Sequence, residues 1–123
     1  MSDTNALGRF GEERAARYLR LHGYQILEQN YRTRHGEIDV IARRGGFLVF
    51  AEVKLRRSAV FAEAREFVTP RKQRRVILAA ESWLQSHPTE LQPRFDVLEV
   101  YAPEGTETRF PTVKHWENAF EVG

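Results

Sequence analysis

The sequence predicts an α/β fold with helices packed on a mixed central β-sheet. Three observations predict it: an apolar stripe at helical spacing near the N-terminus, two apolar strands folded across a Gly-Gly pair, and a second, capped helix between that hairpin and a further strand. The resulting order is helix, three strands, helix, then one strand or two.

In residues 4–22, apolar side chains fall at Leu7, Phe10, Ala15, Tyr18 and Leu19, and Gly23 follows as a C-terminal cap. Residues 24–32 carry large apolar side chains without helical spacing and read as a first strand, which the polar Thr33-Arg34-His35-Gly36 breaks. Residues 37–43 and 47–55 form the next two strands, joined across Gly45-Gly46, a pair that tolerates the positive φ of a tight turn. Residues 56–68 mix charged and apolar side chains without a period and are assigned no element. Thr69 as N-cap and Pro70 as first helical residue open helix two. Its apolar positions Val76, Ile77, Ala80, Trp83 and Leu84 share one side, and it should end near His87-Pro88. Residues 94–101 read as a strand, and a weaker one falls within 109–116 after the Pro103-Glu104-Gly105 turn.

With 123 residues the chain has the size of one domain with one core, and 41% hydrophobic against 29% charged residues is the balance of an ordinary soluble protein. No apolar run approaches the roughly 20 residues of a membrane span, and the stretch through Phe10 lacks the basic start and apolar segment of a signal peptide. The expectation is a cytoplasmic protein with no membrane partner. The lack of cysteine excludes disulfides, thiolate zinc sites and cysteine nucleophiles, so any metal would be held by oxygen or imidazole. The net charge is only +2, yet the pI is about 9.2. Basic clusters stand at Arg43-Arg44, Arg56-Arg57 and Arg71-Lys72-Gln73-Arg74-Arg75, which lean slightly towards a nucleic-acid partner; solvated surface is the plain alternative.

The Gly45-Gly46 hairpin is the informative segment. A two-residue turn sets Arg44 opposite Phe47, and counting outward puts Asp39 opposite Glu52 and Glu37 opposite Lys54. Side chains alternate between faces, so Glu37, Asp39, Glu52 and Lys54 should share one. Opposed residues have Cβ atoms about 4.5–5.5 Å apart, and like charges placed that way are destabilising. A shared divalent cation gives Asp39 and Glu52 a reason to meet, since Mg²⁺ takes oxygen ligands and commonly uses one or two carboxylates. Lys54 is then placed to contact a phosphate, offset developing negative charge or orient a water. The alternative is a strand face of weak cross-strand ion pairs. Against it, the surrounding runs are apolar on both faces, as in buried central strands.

Gly36-Glu37-Ile38-Asp39-Val40-Ile41 followed by Val49-Phe50-Ala51-Glu52-Val53-Lys54 resembles the D…ExK signature of the PD-(D/E)xK, restriction-endonuclease-like superfamily. Gly8-x-x-Gly11-Glu12-x-x-Ala15-x-x-Tyr18-Leu19, Gly23-Tyr24-x-Ile26-Leu27, Asn30-Tyr31-Arg32, Arg94-Phe95-Asp96-Val97 and Glu117-Asn118-Ala119-Phe120 resemble the YraN-like family of small bacterial proteins, over nearly the whole chain. That family is grouped by fold with Holliday-junction resolvases, and fold does not fix function. The resemblance implies a restriction-endonuclease-like fold and a Mg²⁺- or Mn²⁺-dependent endonuclease acting on DNA, with branched or single-stranded regions among the candidate substrates. It leaves a homodimer open. Asp39 and Glu52 would bind the metal, joined by the main-chain carbonyl of Val53; Lys54 would assist the water, and Glu12 from helix one would add an acid.

Other positions keep two readings. Glu12 lies at the edge of its helix's apolar stripe beside Gly11, where the sheet can come close, but a solvated glutamate would look the same. Glu37 is either a group behind the metal ligands or an ion-pair partner of Lys54. Lys72, Arg74, Arg75 and Arg56 are candidate phosphate contacts or solvated charges. Gln73 reads as exposed, Asp96 as the structural partner of an arginine, and His22, His35, His87 and His115, lacking ligand spacing, as surface or turn residues. Leu55 replaces a common small hydroxyl residue of the family and Phe61-Ala62 a frequent Phe-Gly. These departures, with the basic second helix, motivate the competing reading of a nucleic-acid-binding or adaptor protein with a weak or vestigial nuclease site.

Overall fold

The computed structural model describes residues 3–57 and 68–122, with side chains from residue 6 onward. The Phe61-Ala62 departure lies outside the described residues. The described elements run α1 (Asp3–Leu21), β1 (Gln25–Arg32), β2 (Glu37–Arg44), β3 (Phe47–Arg56), α2 (Pro70–Ser86), β4 (Gln92–Tyr101) and β5 (Thr112–Phe120), with one 3₁₀ turn at Gly105–Glu107. The expected order holds, and the optional last strand is present.

Helix α1 stops where the sequence changes chemistry. Gly23 adopts φ +85°, its N–H bonds the Arg20 carbonyl at 3.2 Å, and the Tyr24 N–H bonds that of Leu19 at 2.9 Å. This is the paired Schellman closure that glycine favours. Helix α2 opens as its sequence requires: the Thr69 hydroxyl accepts from the Lys72 N–H at 3.2 Å and Pro70 occupies the first turn.

The strands form one mixed sheet in the order β1-β2-β3-β4-β5. β3 and β4 are parallel; the other neighbours are antiparallel. A parallel pair needs a crossover, and α2 belongs to it. The two helices cover opposite faces. Ala15 and Leu19 of α1 pack with Val40, Ala42, Val49, Ala51, Leu98 and Val100. Val76, Ala79, Ala80 and Trp83 of α2 pack with Ile38, Ile41, Leu48, Phe50, Phe95 and Val97. Central β3 therefore alternates, Leu48 and Phe50 towards α2 and Val49 and Ala51 towards α1, which is why both its faces are apolar. The architecture is that of a restriction-endonuclease-like fold. Among the described residues no helix is long and apolar enough to cross a membrane.

Candidate active site

Gly45 adopts φ +56° in the hairpin turn, and Arg44 pairs with Phe47 as the count from the turn requires. The ladder then runs out to Val40 opposite Ala51. One step further, where Asp39 and Glu52 would pair next, the ladder ends. The Asp39 Oδ2 accepts the Val53 N–H at 2.8 Å, a side chain standing in for the lost strand partner. In a strand, N–H and C=O of one residue lie on the same side, so the Val53 carbonyl opens towards the same gap. β2 continues against β1, pairing Ile38 with Tyr31 and Glu37 with Arg32. The site lies at the fork where β2 and β3 part.

Two further elements close on that fork. The backbone of α2 approaches β2 so tightly at Gly36 that a Cβ built there would lie 1.8 Å from the Arg75 carbonyl oxygen. This seats the first turns of α2 at the fork, and the Lys72 ammonium reaches 3.4 Å from Glu52 Oε1 and 3.5 Å from Glu37 Oε1. Lys54, from β3 itself, comes to 3.6 Å from the same Glu52 Oε1. From the other side α1 crosses at Gly11, whose position lies in ordinary contact with Leu55 and Val53, and it carries Glu12 towards the fork.

Burial and crowding of acids set the electrostatics. Glu52 is 4% exposed. Burial, then the Asp39 charge, push its carboxyl up to about 7, with Lys72 and Lys54 acting in opposition. Burial also raises Asp39, against the Val53 hydrogen bond and Lys72. Burial and then the Asp39 charge raise Glu12, which an Asn30 hydrogen bond partly offsets. Lys72 loses hydration by burial, but the charges of Glu52, Glu37 and Asp39 outweigh that loss and hold its ammonium above the usual range. Glu52 Oε2 is buried without a hydrogen-bond partner.

An orphaned carboxylate oxygen beside a second carboxylate fits a divalent cation. Asp39 and Glu52 would hold it, with the Val53 carbonyl as a third protein oxygen. Among the described residues no three His, Asp or Glu side chains converge in a metal-holding group. Two carboxylates and one carbonyl oxygen suit an ion that takes one or two carboxylates and completes its shell with water or phosphate, as Mg²⁺ does.

The structure brings together Asp39, Glu52, Lys54 and the Val53 backbone, and adds Glu12 close enough to feel Asp39. Glu37 does not face Lys54. Because β2 leaves β3 before reaching that pair, Glu37 meets Lys72 and, at 3.5 Å, Arg32. Lys72 belongs to the carboxylate cluster, whereas Arg74 and Arg75 are exposed on the helix. Arg56 pairs with the buried Glu99 at 3.4 Å, so its charge is engaged within the sheet. Gln73 is half-buried rather than exposed and donates to the Val68 carbonyl at 2.9 Å, tying down the start of α2. Sequence reasoning missed Lys72's place and Asn30. Asn30 sits at φ +55° between the Gln29–Val40 and Tyr31–Ile38 pairs and holds Glu12; its one signal was its membership of the Asn30-Tyr31-Arg32 motif.

A second buried acid lies apart from the fork. Asp96 pairs with an arginine as expected: Arg94 donates from Nε to Oδ1 at 2.9 Å and from a terminal nitrogen to Oδ2 at 2.8 Å. The Asn118 N–H adds a bond at 3.0 Å and His115 Nε2 one at 2.6 Å. His115 is thus no surface residue; its side chain is 7% exposed. Burial alone would raise Asp96, but the bonds from His115, Arg94 and Asn118 hold it below the usual carboxylate range.

The profile of the uncharacterised protein family UPF0102 matches residues 11–100, a span that contains every residue of the fork. A UPF0102 protein of Chlorobium chlorochromatii is 46% identical over 123 residues, covering 98% of this chain and 95% of the relative. One from Trichlorobacter lovleyi is 42% identical over 119 residues, covering 95% and 91%. One from Rhodococcus opacus is 41% identical over 121 residues, covering 98% and 100%. With a family profile over most of its length and relatives matched nearly end to end, the chain belongs to the UPF0102, or YraN, family.

Proposed function

We propose that this protein is a Mg²⁺- or Mn²⁺-dependent nuclease that hydrolyses phosphodiester bonds of DNA. The observation that carries the reading is the fork itself: buried Glu52 and half-buried Asp39 meet where a ladder opens, one Glu52 oxygen has no hydrogen-bond partner, and two ammonium groups stand on its other oxygen.

A bound divalent cation supplies Lewis acidity towards the scissile phosphate and an acidified water. The chain's own residues do the rest. Asp39 is locked by the Val53 N–H and would offer its remaining oxygen to the ion. Glu52, held by Lys54 and Lys72 through one oxygen, would offer the other. Lys54 is near enough to the carboxylates to orient the attacking water and to offset charge developing on the phosphate. Exposed Arg74 and Arg75 on the flank of α2 supply phosphate contacts that place the backbone without reading bases.

The test incubates purified protein with linear, single-stranded and four-way-junction DNA in Mn²⁺ or EDTA, beside Asp39→Asn. Metal-dependent cleavage that vanishes in the variant supports the reading. The absence of cleavage on every substrate, or cleavage untouched by Asp39→Asn, overturns it. DNA binding that persists in EDTA without cleavage would instead favour the adaptor reading, for which the exposed arginines of α2 suffice.

A further inference from the structure

We propose that Lys72 is a positioning residue that competes with a divalent cation for Glu52 and, tethered by Glu37, stays beside the site to meet the substrate phosphate. The inference rests on the metal-dependent reading above and names the part that a residue outside the D…ExK hairpin plays in it.

Glu52 Oε1 carries both ammonium groups, Lys72 at 3.4 Å and Lys54 at 3.6 Å, and both lie next to the space a cation would share between Asp39 and Glu52. Lys54 is fixed by its strand to Glu52's own face. Lys72 comes from another element and has a second acceptor, Glu37 Oε1 at 3.5 Å. Glu37 is the more hydrated partner, its side chain 38% exposed against 5% for Glu52. A cation neutralising Asp39 and Glu52 would cancel the attraction that holds Lys72 on Glu52, because its own charge repels the ammonium. Glu37 then remains as the lysine's anchor.

The stem of Lys72 cannot follow its ammonium away. The Lys72 N–H is bonded to the Thr69 cap, Gln73 is bonded to the Val68 carbonyl, and Gly36 seats the Arg75 carbonyl against β2. Only the flexible end of the side chain moves, over the short distance between two carboxylates. A lysine so restrained presents a positive charge at the edge of the site, where a phosphodiester enters.

The test measures Mn²⁺ affinity of the full chain, from the electron paramagnetic resonance signal of free Mn²⁺, for wild type, Lys72→Met and Arg71→Met, with folding checked by circular dichroism. Removing a positive group in contact with the site should tighten Mn²⁺ binding in Lys72→Met by about tenfold. Arg71→Met removes the same charge one residue away on the exposed surface and should change it by less than about twofold. Glu37→Gln should weaken Mn²⁺ binding in the wild-type background, because Lys72 then rests on Glu52 alone, and much of that effect should vanish in the Lys72→Met background. Unchanged or weaker Mn²⁺ affinity in folded Lys72→Met, or an equal gain in Arg71→Met, overturns the proposal while leaving the nuclease reading intact. If Lys72→Met fails to fold, Lys72→Gln is read by the same criteria. A wild type that binds no Mn²⁺ sinks both.

Discussion

Two buried carboxylates on the same sheet, Glu52 and Asp96, have opposite surroundings. Asp96 receives four hydrogen bonds, from Arg94 twice, from His115 and from the Asn118 N–H, and both its oxygens are used. Glu52 has two lysines on one oxygen, while its other oxygen, beside the Asp39 carboxylate, has no hydrogen-bond partner. The first is held below the usual carboxylate range and the second is pushed up to about 7. Burial alone does not distinguish a site from a strut. What distinguishes them is whether the buried charge is satisfied from within the protein, and a charge left short is where an external cation fits.

The sharpest way to break the comparison is to neutralise an acid of each kind. Asp39→Asn keeps a side-chain oxygen for the Val53 N–H, so folding should hold or improve while cleavage falls to background. Asp96→Asn removes the charge that Arg94 and His115 are bonded to and should cost about 3 kcal/mol in denaturant unfolding. At a temperature where Asp96→Asn is folded, its metal-dependent cleavage should persist. If Asp39→Asn destabilises as much as Asp96→Asn, the fork is a structural network and the contrast fails.

The pH dependence of stability should separate the two regions with opposite signs. Glu52's folded value is raised above its ordinary 4.5, so the stabilisation from its proton is full at low pH and is lost as pH rises through about 7. Asp96's folded value is lowered, so its stabilisation is present above the ordinary 3.8 and is lost as pH falls below it. In EDTA the wild type should therefore lose on the order of 2 kcal/mol between about pH 5 and 8. Glu52→Gln should flatten that decline and Asp96→Asn should leave it in place. Thermal melts across the range read both; an unaltered slope in Glu52→Gln would remove the basis for treating its proton as weakly opposed.

The smallest effect belongs to the exposed arginines. Arg75→Ala should leave folding and Mn²⁺ affinity alone and reduce the slope of log affinity for DNA against log salt by about one. Fluorescence anisotropy at several salt concentrations measures it, and an unchanged slope removes Arg75 from the DNA-facing surface.

Much of the fork was legible because short-range rules govern it. The Gly45-Gly46 turn fixes the pairing of Arg44 with Phe47, and counting carries that register to Val40 and Ala51. The Thr69-Pro70 opening and the Gly23 closure are equally local, and they held. The errors begin where a third element intervenes. Counting past Val40 put Glu37 beside Lys54, but α2 docks against Gly36 and β2 turns away to β1. No spacing within the hairpin contains that event. Lys72 and Gln73 looked like members of an exposed basic run because the crossover that carries them to the sheet is long-range. His115 looked like a surface residue because its partner, Asp96, lies on a different strand.

The approach at Gly36 reaches beyond packing. The first turns of α2 can lie where they do because one α-carbon carries a second hydrogen in place of a methyl. A chain with alanine there would keep every charged group named above and still lift the helix, drawing the Lys72 ammonium away from both acids. If the proposed function holds, it can therefore be lost through a change of a single small group that lies outside the carboxylate cluster.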